Sequence, residues 1–110
     1  MNQEEIVLII STFPNREDAS AFCNKLLELG LIACATILPE CESMFKWNNT
    51  IEIMKETQIV LKTIQSNQEE IYSICKEMHT YQLPEFIQFN SIEASKEYSQ
   101  WVLQHCSQNL

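Results

Sequence analysis

The feature that most constrains the fold is a long extended stretch in the middle of the chain. From Thr50 to Ile64 the residues alternate as in a β-strand, with Ile51 and Ile53 on one side of the pleat and Glu52 on the other. Strands usually run for about five or six residues. We therefore expect this strand to extend beyond a small sheet.

The residues before this stretch predict that it is one arm of a hairpin. Leu31 to Leu38 is typical of a strand, and an extended pattern resumes over residues 43–47. Asn48 and Asn49 then suit a two-residue turn, because asparagine tolerates positive φ. An exposed strand edge invites aggregation unless it is covered, and a second copy of the chain is one possible cover. The pattern alone thus predicts a homo-oligomer.

The flanking residues complete a β-α-β-β-α-β order followed by a terminal helix. Asn15 is typical of a helix N-cap, and Gly30 of the position just after a helix ends. This order predicts an α+β fold of the ferredoxin-like type, with an antiparallel sheet, both main helices on one face, and an extended hairpin between the second and third strands. The remaining predicted elements are a first strand at 6–10, a second helix ending near Met78, a strand at 85–92, and a C-terminal helix from about Ser95.

Length and charge limit what the chain can be. Its 110 residues suit a single domain over 1–110. Fifteen acidic residues against seven basic ones give a net charge of −8, which disfavours nucleic acid and anionic membranes as partners. A single glycine excludes the glycine-rich phosphate-binding turns of Rossmann and P-loop proteins. We expect a binding or structural module and not an enzyme.

The cysteines and the N-terminus bear on the compartment. The five cysteines show no C-x-x-C spacing and are interpreted as free thiols. Cys34 lies in an apolar strand without a basic neighbour along the chain, which is typical of an inert thiol. The acidic first residues do not resemble a signal peptide, and no apolar run is long enough to span a membrane. We therefore expect a cytoplasmic protein.

Several separate motifs stand in the order that one known family shows. They are Leu31-Ile32-Ala33-Cys34-Ala35; Pro39, Ser43, Phe45 and Trp47; Glu56 with Leu61-Lys62-Thr63; His79-Thr80-Tyr81 with Pro84-Glu85; and Tyr98 with Trp101. On these residues the chain, from Ile6 to about Trp101, resembles the CutA-type divalent-cation tolerance proteins. The resemblance implies a ferredoxin-like protomer in a tight, PII-like homotrimer, and a role in tolerance of copper or another divalent metal.

The chain departs from the family pattern at four positions. Asn49 replaces a glycine in the turn, and Thr80 replaces the proline of the His-Pro-Tyr motif. Where a copper site has been proposed in the family, a cysteine and a second histidine are replaced here by Ser11 and Met78. The resemblance therefore implies a depleted set of metal ligands.

His79 and Glu85 are the candidate metal ligands. Imidazole suits copper and zinc, and a carboxylate six residues further on could join it across a loop. The other interpretation is that His79 and Tyr81 form hydrogen bonds that hold the loop and a subunit contact. That structural interpretation is favoured, because a lone histidine outside a metal-spacing motif is usually structural.

Three further residues are candidates for a cleft or an interface between subunits. Lys62 would pair with an anionic effector or with Glu85, the latter as an ion pair between chains. Tyr81 belongs to the loop after His79, and Trp47 suits a subunit contact. Two functions other than metal tolerance stay open. One is a PII-like regulatory trimer that binds a small effector in its clefts, and the other is a scaffold for a partner protein.

Overall fold

The fold of the computed structural model, which describes residues 5–106, is an antiparallel sheet with helices against it. Its elements are β1 (Ile6–Phe13), α1 (Arg16–Glu28), β2 (Cys34–Ile37), β3 (Cys41–Trp47), β4 (Thr50–Ile64), a 3₁₀ turn (Gln65–Asn67), α2 (Gln68–Met78), β5 (Ile87–Phe89) and α3 (Lys96–His105). No helix within 5–106 has both the length and the apolar character needed to cross a membrane.

Local sequence signals fix both ends of α1. The Asn15 side chain accepts a hydrogen bond of 2.8 Å from the backbone N–H of Asp18, which satisfies one of the free donors at the helix start. Gly30 has φ of 72°, the left-handed conformation that commonly ends a helix. Both predicted boundaries of this helix are confirmed.

The order of strands in the sheet confirms the ferredoxin-like prediction. The strands lie in the order β2-β4-β1-β5, every neighbouring pair is antiparallel, and β3 pairs with the outer part of β4. In this register Lys62 of β4 lies between Leu8 of β1 and Cys34 of β2. β4 therefore forms the centre of the sheet and also one arm of the outer hairpin.

One face of the sheet carries the main core, and α3 covers only one end of the other face. α1 and α2 cover the core face, where Phe13, Phe22 and Leu61 are fully or almost fully buried. α3 packs at one end, with Val102 against Ile6 and Ile64. The opposite face presents half-buried and exposed apolar side chains, which are Leu8, Ile10, Val60, Ile87 and Phe89.

The outer hairpin formed by β3 and residues 50–56 of β4 projects from this body. The molecule measures 51 Å along its longest axis and about half that across, at 25 and 23 Å. The turn residues Asn48 and Asn49 both have positive φ, at 52° and 64°. The long strand and its asparagine turn are therefore confirmed.

Two predicted strands are shorter in the structure. Leu31 precedes β2, because its N–H donates to Leu26 at the end of α1 and its carbonyl accepts from the side chain of Thr63. β5 begins only at Ile87, because the carbonyl of Glu85 accepts a hydrogen bond from the Ser11 side chain. In both places tertiary contacts take backbone groups that a longer strand would need.

Candidate functional site

A pocket of about 970 Å³ lies between the outer hairpin and the loop that joins α2 to β5. Phe45, Trp47 and Met54 line it from the hairpin, and Leu83 and Phe86 line it from the loop. Carboxylates stand among these apolar side chains, namely Glu52, Glu56 and Glu85. An apolar cavity with a few convergent polar groups is the usual form of a binding site or a buried contact surface.

Tyr81 holds the carboxylate of Glu56. The phenol donates a hydrogen bond of 2.5 Å to Glu56 Oε2, and Glu56 is only 7% exposed although it lies on a projecting strand. Burial raises the pKa of Tyr81, and the hydrogen bond to Glu56 and its charge raise it further. The phenol therefore stays protonated at neutral pH and remains a donor.

The end of β1 holds Glu85 in the same way. Thr12 Oγ1 donates a 2.5 Å hydrogen bond to Glu85 Oε1, and Ser11 Oγ donates one of 2.7 Å to the Glu85 carbonyl. Ser11 and Thr12 are buried. Two successive hydroxyl side chains thus fix both the backbone and the carboxylate of this residue.

The ring of His79 contacts two other aromatic rings and is hydrogen-bonded at both nitrogens. It stacks on Phe13 with ring centroids 4.3 Å apart, and Tyr81 lies 4.8 Å from it. Its Nε2 lies 2.8 Å from the carbonyl of Thr12, which only accepts, so Nε2 carries the proton. Nδ1 then accepts from the Tyr81 N–H at 3.2 Å. To bind a metal through Nδ1, His79 must give up the hydrogen bond from Tyr81.

The structure brings most of the predicted site residues into one network. His79 and Glu85 both contact Thr12, Tyr81 contacts His79, and Trp47 lines the same pocket. Lys62 lies elsewhere, on β4 beside Cys34 and Thr36. Within residues 5–106, no three or more His, Cys, Asp or Glu side chains are grouped as a metal site requires. The described part of one chain therefore offers two of the predicted ligands, His79 and Glu85, without a third grouped beside them.

Two members of this network were not predicted as site residues. Glu56 matched a family motif, but its pairing with Tyr81 bridges 25 positions of sequence. Thr12 follows a β-branched run, where a hydroxyl is unremarkable in sequence. In the fold, the end of β1 lies against the loop after α2, and Thr12 there forms hydrogen bonds with both His79 and Glu85.

Comparisons with known proteins agree on one family. The model of the family described as CutA1 divalent ion tolerance protein matches residues 7–105. The divalent-cation tolerance protein CutA of Thermococcus kodakarensis is 36% identical over 98 residues, which are 89% of this chain and 93% of the relative.

Solved structures agree as well. The divalent ion tolerance protein CutA1 of Ehrlichia chaffeensis superposes with a TM-score of 0.91 at 31% identity, over 97% of this chain and 100% of that one. The periplasmic divalent cation tolerance protein CutA of Archaeoglobus fulgidus gives a TM-score of 0.88 at 28% identity, over 93% and 99%.

Proposed function

The chain belongs to the CutA1 divalent ion tolerance protein family, and we propose that it acts in tolerance of divalent cations, copper among them, as a homotrimer that binds metal weakly at its subunit contacts. The observation that carries the proposal is the pocket of fixed carboxylates beside an exposed apolar hairpin. In the proposal, a neighbouring copy covers the hairpin and adds ligands to those of residues 5–106.

The hairpin supports the homotrimer because both of its faces carry exposed apolar side chains. Phe45 and Trp47 share the face that lines the pocket, at 38% and 45% exposed. On the alternate face Met44 and Ile53 oppose each other and are 68% and 59% exposed. A patch of this kind on a projecting strand pair is typical of a protein interface.

Charge favours a second copy of this chain as the partner. Lys46 and Lys55 lie on the same face as Met44 and Ile53. Glu42 lies there too, opposite Lys55, so the two lysines leave this face with a net positive charge. The pocket of a neighbouring copy offers apolar side chains together with the carboxylates of Glu52 and Glu85. A contact between two different patches on identical chains closes into a ring when the rotation allows it. Such a ring of three would bring Trp47 and Tyr81 into the subunit contact.

Metal binding in this proposal starts from Glu85 and His79. Glu85 keeps one carboxylate oxygen beyond the Thr12 hydrogen bond, and His79 offers Nδ1 once the Tyr81 N–H moves away. Two ligands give a weak site, and ligands from a neighbouring copy would strengthen it. We propose this as binding without catalysis, and in the cytoplasm, which suits five unpaired cysteines.

Native mass spectrometry of the reduced protein, with and without Cu(II), Cu(I) or Zn(II), tests both parts of the proposal. We expect a trimer that acquires metal at micromolar concentration, and we expect His79→Ala and Glu85→Gln each to weaken metal binding about tenfold or more. His105→Ala is the matched control, since His105 is exposed on α3. Lys62→Gln should also leave metal binding unchanged.

The outcomes separate the two parts. A protein that stays monomeric would contradict the homotrimer. A trimer that stays free of metal, or that loses metal equally in His79→Ala and His105→Ala, would contradict the metal site and leave assembly standing.

A further inference from the structure

A thiol and an amine lie in contact on the face of the sheet opposite to α1 and α2, near α3. Cys34 of β2 and Lys62 of β4 are direct partners in the strand register, and Lys62 Nζ lies 3.8 Å from Cys34 Sγ. Lys62 also donates a hydrogen bond to the hydroxyl of Thr36, two residues along β2. The thiol that has no basic neighbour along the chain thus has one across the sheet.

Lys62 is not held by a carboxylate. Within residues 5–106 its polar contacts are those to Cys34 and Thr36, and no ion pair competes for the amine. The side chain lies half-buried across β2 and is kept next to the sulfur. The Lys62 amine, a potential nucleophile, thus lies next to the Cys34 thiol, which is the kind of group that oxidants attack.

Cys34 differs from the other cysteines in its surroundings. Cys23, Cys75 and Cys106 are buried, and burial raises the pKa of each of these thiols, which keeps them protonated and unreactive. Cys41 is exposed, but its register partner Glu56 lies six residues from Lys62 along β4, or about 20 Å at the usual rise of a strand. The nucleophile that contacts the sulfur of Cys34 within residues 5–106 is therefore an amine and not a second thiol.

We propose that Cys34 and Lys62 form a sulfenamide cross-link when the protein meets a hydroperoxide, and that thiols reverse it. In the first step the sulfur attacks the peroxide, the O–O bond breaks, and Cys34 becomes a sulfenic acid while the peroxide is reduced to water or an alcohol. In the second step the Lys62 amine, after its ammonium proton has passed to solvent, attacks the sulfur. An S–N bond forms, and the sulfenic hydroxyl leaves as water with a proton from the nitrogen.

The cross-link would change the sheet at one point. It ties β2 covalently to the central strand β4, and it removes the positive charge of Lys62 from the face of the sheet opposite to α1 and α2. Capture by the amine also protects Cys34 from further oxidation to the sulfinic acid, which most proteins cannot reverse. A thiol attacks the sulfur and releases the amine, which leaves Cys34 in a mixed disulfide. A second thiol then reduces that disulfide, so that both side chains are restored.

Stepwise addition of hydrogen peroxide to the reduced protein, followed by intact mass and peptide mapping, tests the proposal. We expect a species lighter by two hydrogens, with one cross-linked fragment that joins the Cys34 peptide to the Lys62 peptide. Labelling of Lys62 by an amine reagent should be lost in that species. Dithiothreitol should return both the mass and the labelling.

Three variants give the controls. Cys34→Ser should abolish the cross-link, and Cys41→Ser should leave it unchanged. Lys62→Arg keeps the charge but lacks the nucleophilic amine, so Cys34 should then accumulate as a sulfenic acid that dimedone traps. The circular dichroism spectrum of each variant checks that it is folded. The proposal is overturned if Cys34 stays reduced under peroxide, if it passes to the sulfinic acid with Lys62 unmodified, or if the lighter species contains only disulfides.

Discussion

At the scale of single residues, Thr12 organises the candidate site more than the predicted ligands do. Its carbonyl accepts from His79, and its hydroxyl donates to Glu85. Because the carbonyl requires a proton on Nε2, it also sets the tautomer of His79 and so turns Nδ1 towards the N–H of Tyr81. With this tautomer, His79 Nδ1 accepts the hydrogen bond from the Tyr81 N–H, and a metal bound at Nδ1 would displace that hydrogen bond.

The hydrogen bond between Tyr81 and Glu56 gives a prediction at this scale. Tyr81→Phe removes the donor and leaves a carboxylate that is 7% exposed without its partner. We expect the free energy of unfolding to fall by about 1–3 kcal/mol, as measured by urea denaturation at a fixed protein concentration.

Tyr72→Phe is the matched control. Tyr72 is 41% exposed on α2 and packs its ring near Phe86. Its loss of a hydroxyl should change the free energy of unfolding by no more than about 0.5 kcal/mol. Equal effects of the two substitutions would show that the Glu56 contact does not stabilise the fold.

At the scale of elements, the signals that the sequence carried well were local ones. The alternation from Thr50 to Ile64 predicted β4 to its full length, and Asn15 and Gly30 marked the ends of α1. The ends of β2 and β5 were missed, because distant side chains such as Thr63 and Ser11 bind the backbone there. No local pattern records such contacts.

The same distinction explains the site. His79 and Glu85 were predicted because their motif is continuous in sequence, and the structure joins both to Thr12. The contact of Lys62 with Cys34 was missed, because it bridges 28 positions and depends on the register of two strands. Periodicity predicts which residues form a strand, but it does not set the pairing across the sheet.

The turn of the outer hairpin gives a prediction at the scale of elements. Asn49 has φ of 64°, a conformation that costs most residues with a Cβ roughly 1–2 kcal/mol and that asparagine tolerates. Asn49→Ala should therefore lower the free energy of unfolding by about 1 kcal/mol, as measured by urea denaturation.

The control for the turn is Asn24→Ala, on the exposed side of α1. Alanine favours a helix, so this substitution should be neutral or slightly stabilising. An Asn49→Ala protein as stable as the unsubstituted chain would argue that the turn conformation does not limit stability.

At the scale of the whole molecule, an acidic protein carries a projecting outer hairpin with exposed apolar side chains. The net charge of −8 makes two copies of the chain repel each other at long range. The outer hairpin, in contrast, exposes Met44, Ile51 and Ile53, at 68%, 67% and 59%. In the proposed trimer, association through the outer hairpin must overcome that repulsion, and added salt would screen it. A contact between the lysines of the outer hairpin and carboxylates of the neighbouring copy would offset part of this repulsion.

Substitution at Ile53 tests the proposed assembly. Ile53→Asp places a negative charge on the outer hairpin where it would face those carboxylates, and it should weaken each subunit contact by about 2 kcal/mol or more. Multi-angle light scattering should then show monomer at concentrations where the unsubstituted protein is a trimer.

Leu27→Asp is the matched control, because Leu27 is 47% exposed on α1, away from the outer hairpin. This variant should stay trimeric. If Ile53→Asp remains a trimer as stable as the control, the hairpin does not carry the contact.

The position of β4 in the chain also affects the order in which the strands pair during folding. The hairpin of β3 and β4 joins neighbouring residues and forms within about 1–10 μs, whereas pairing of β1 with β4 must join Ile6 to Ile64 and is slower. During synthesis at about 5–20 residues per second, β5 and α3 follow β4 only after some seconds. Throughout that interval the outer hairpin is exposed before the rest of the sheet can pair, and because a two-stranded hairpin is only marginally stable alone, its apolar side chains stay accessible until the chain is complete.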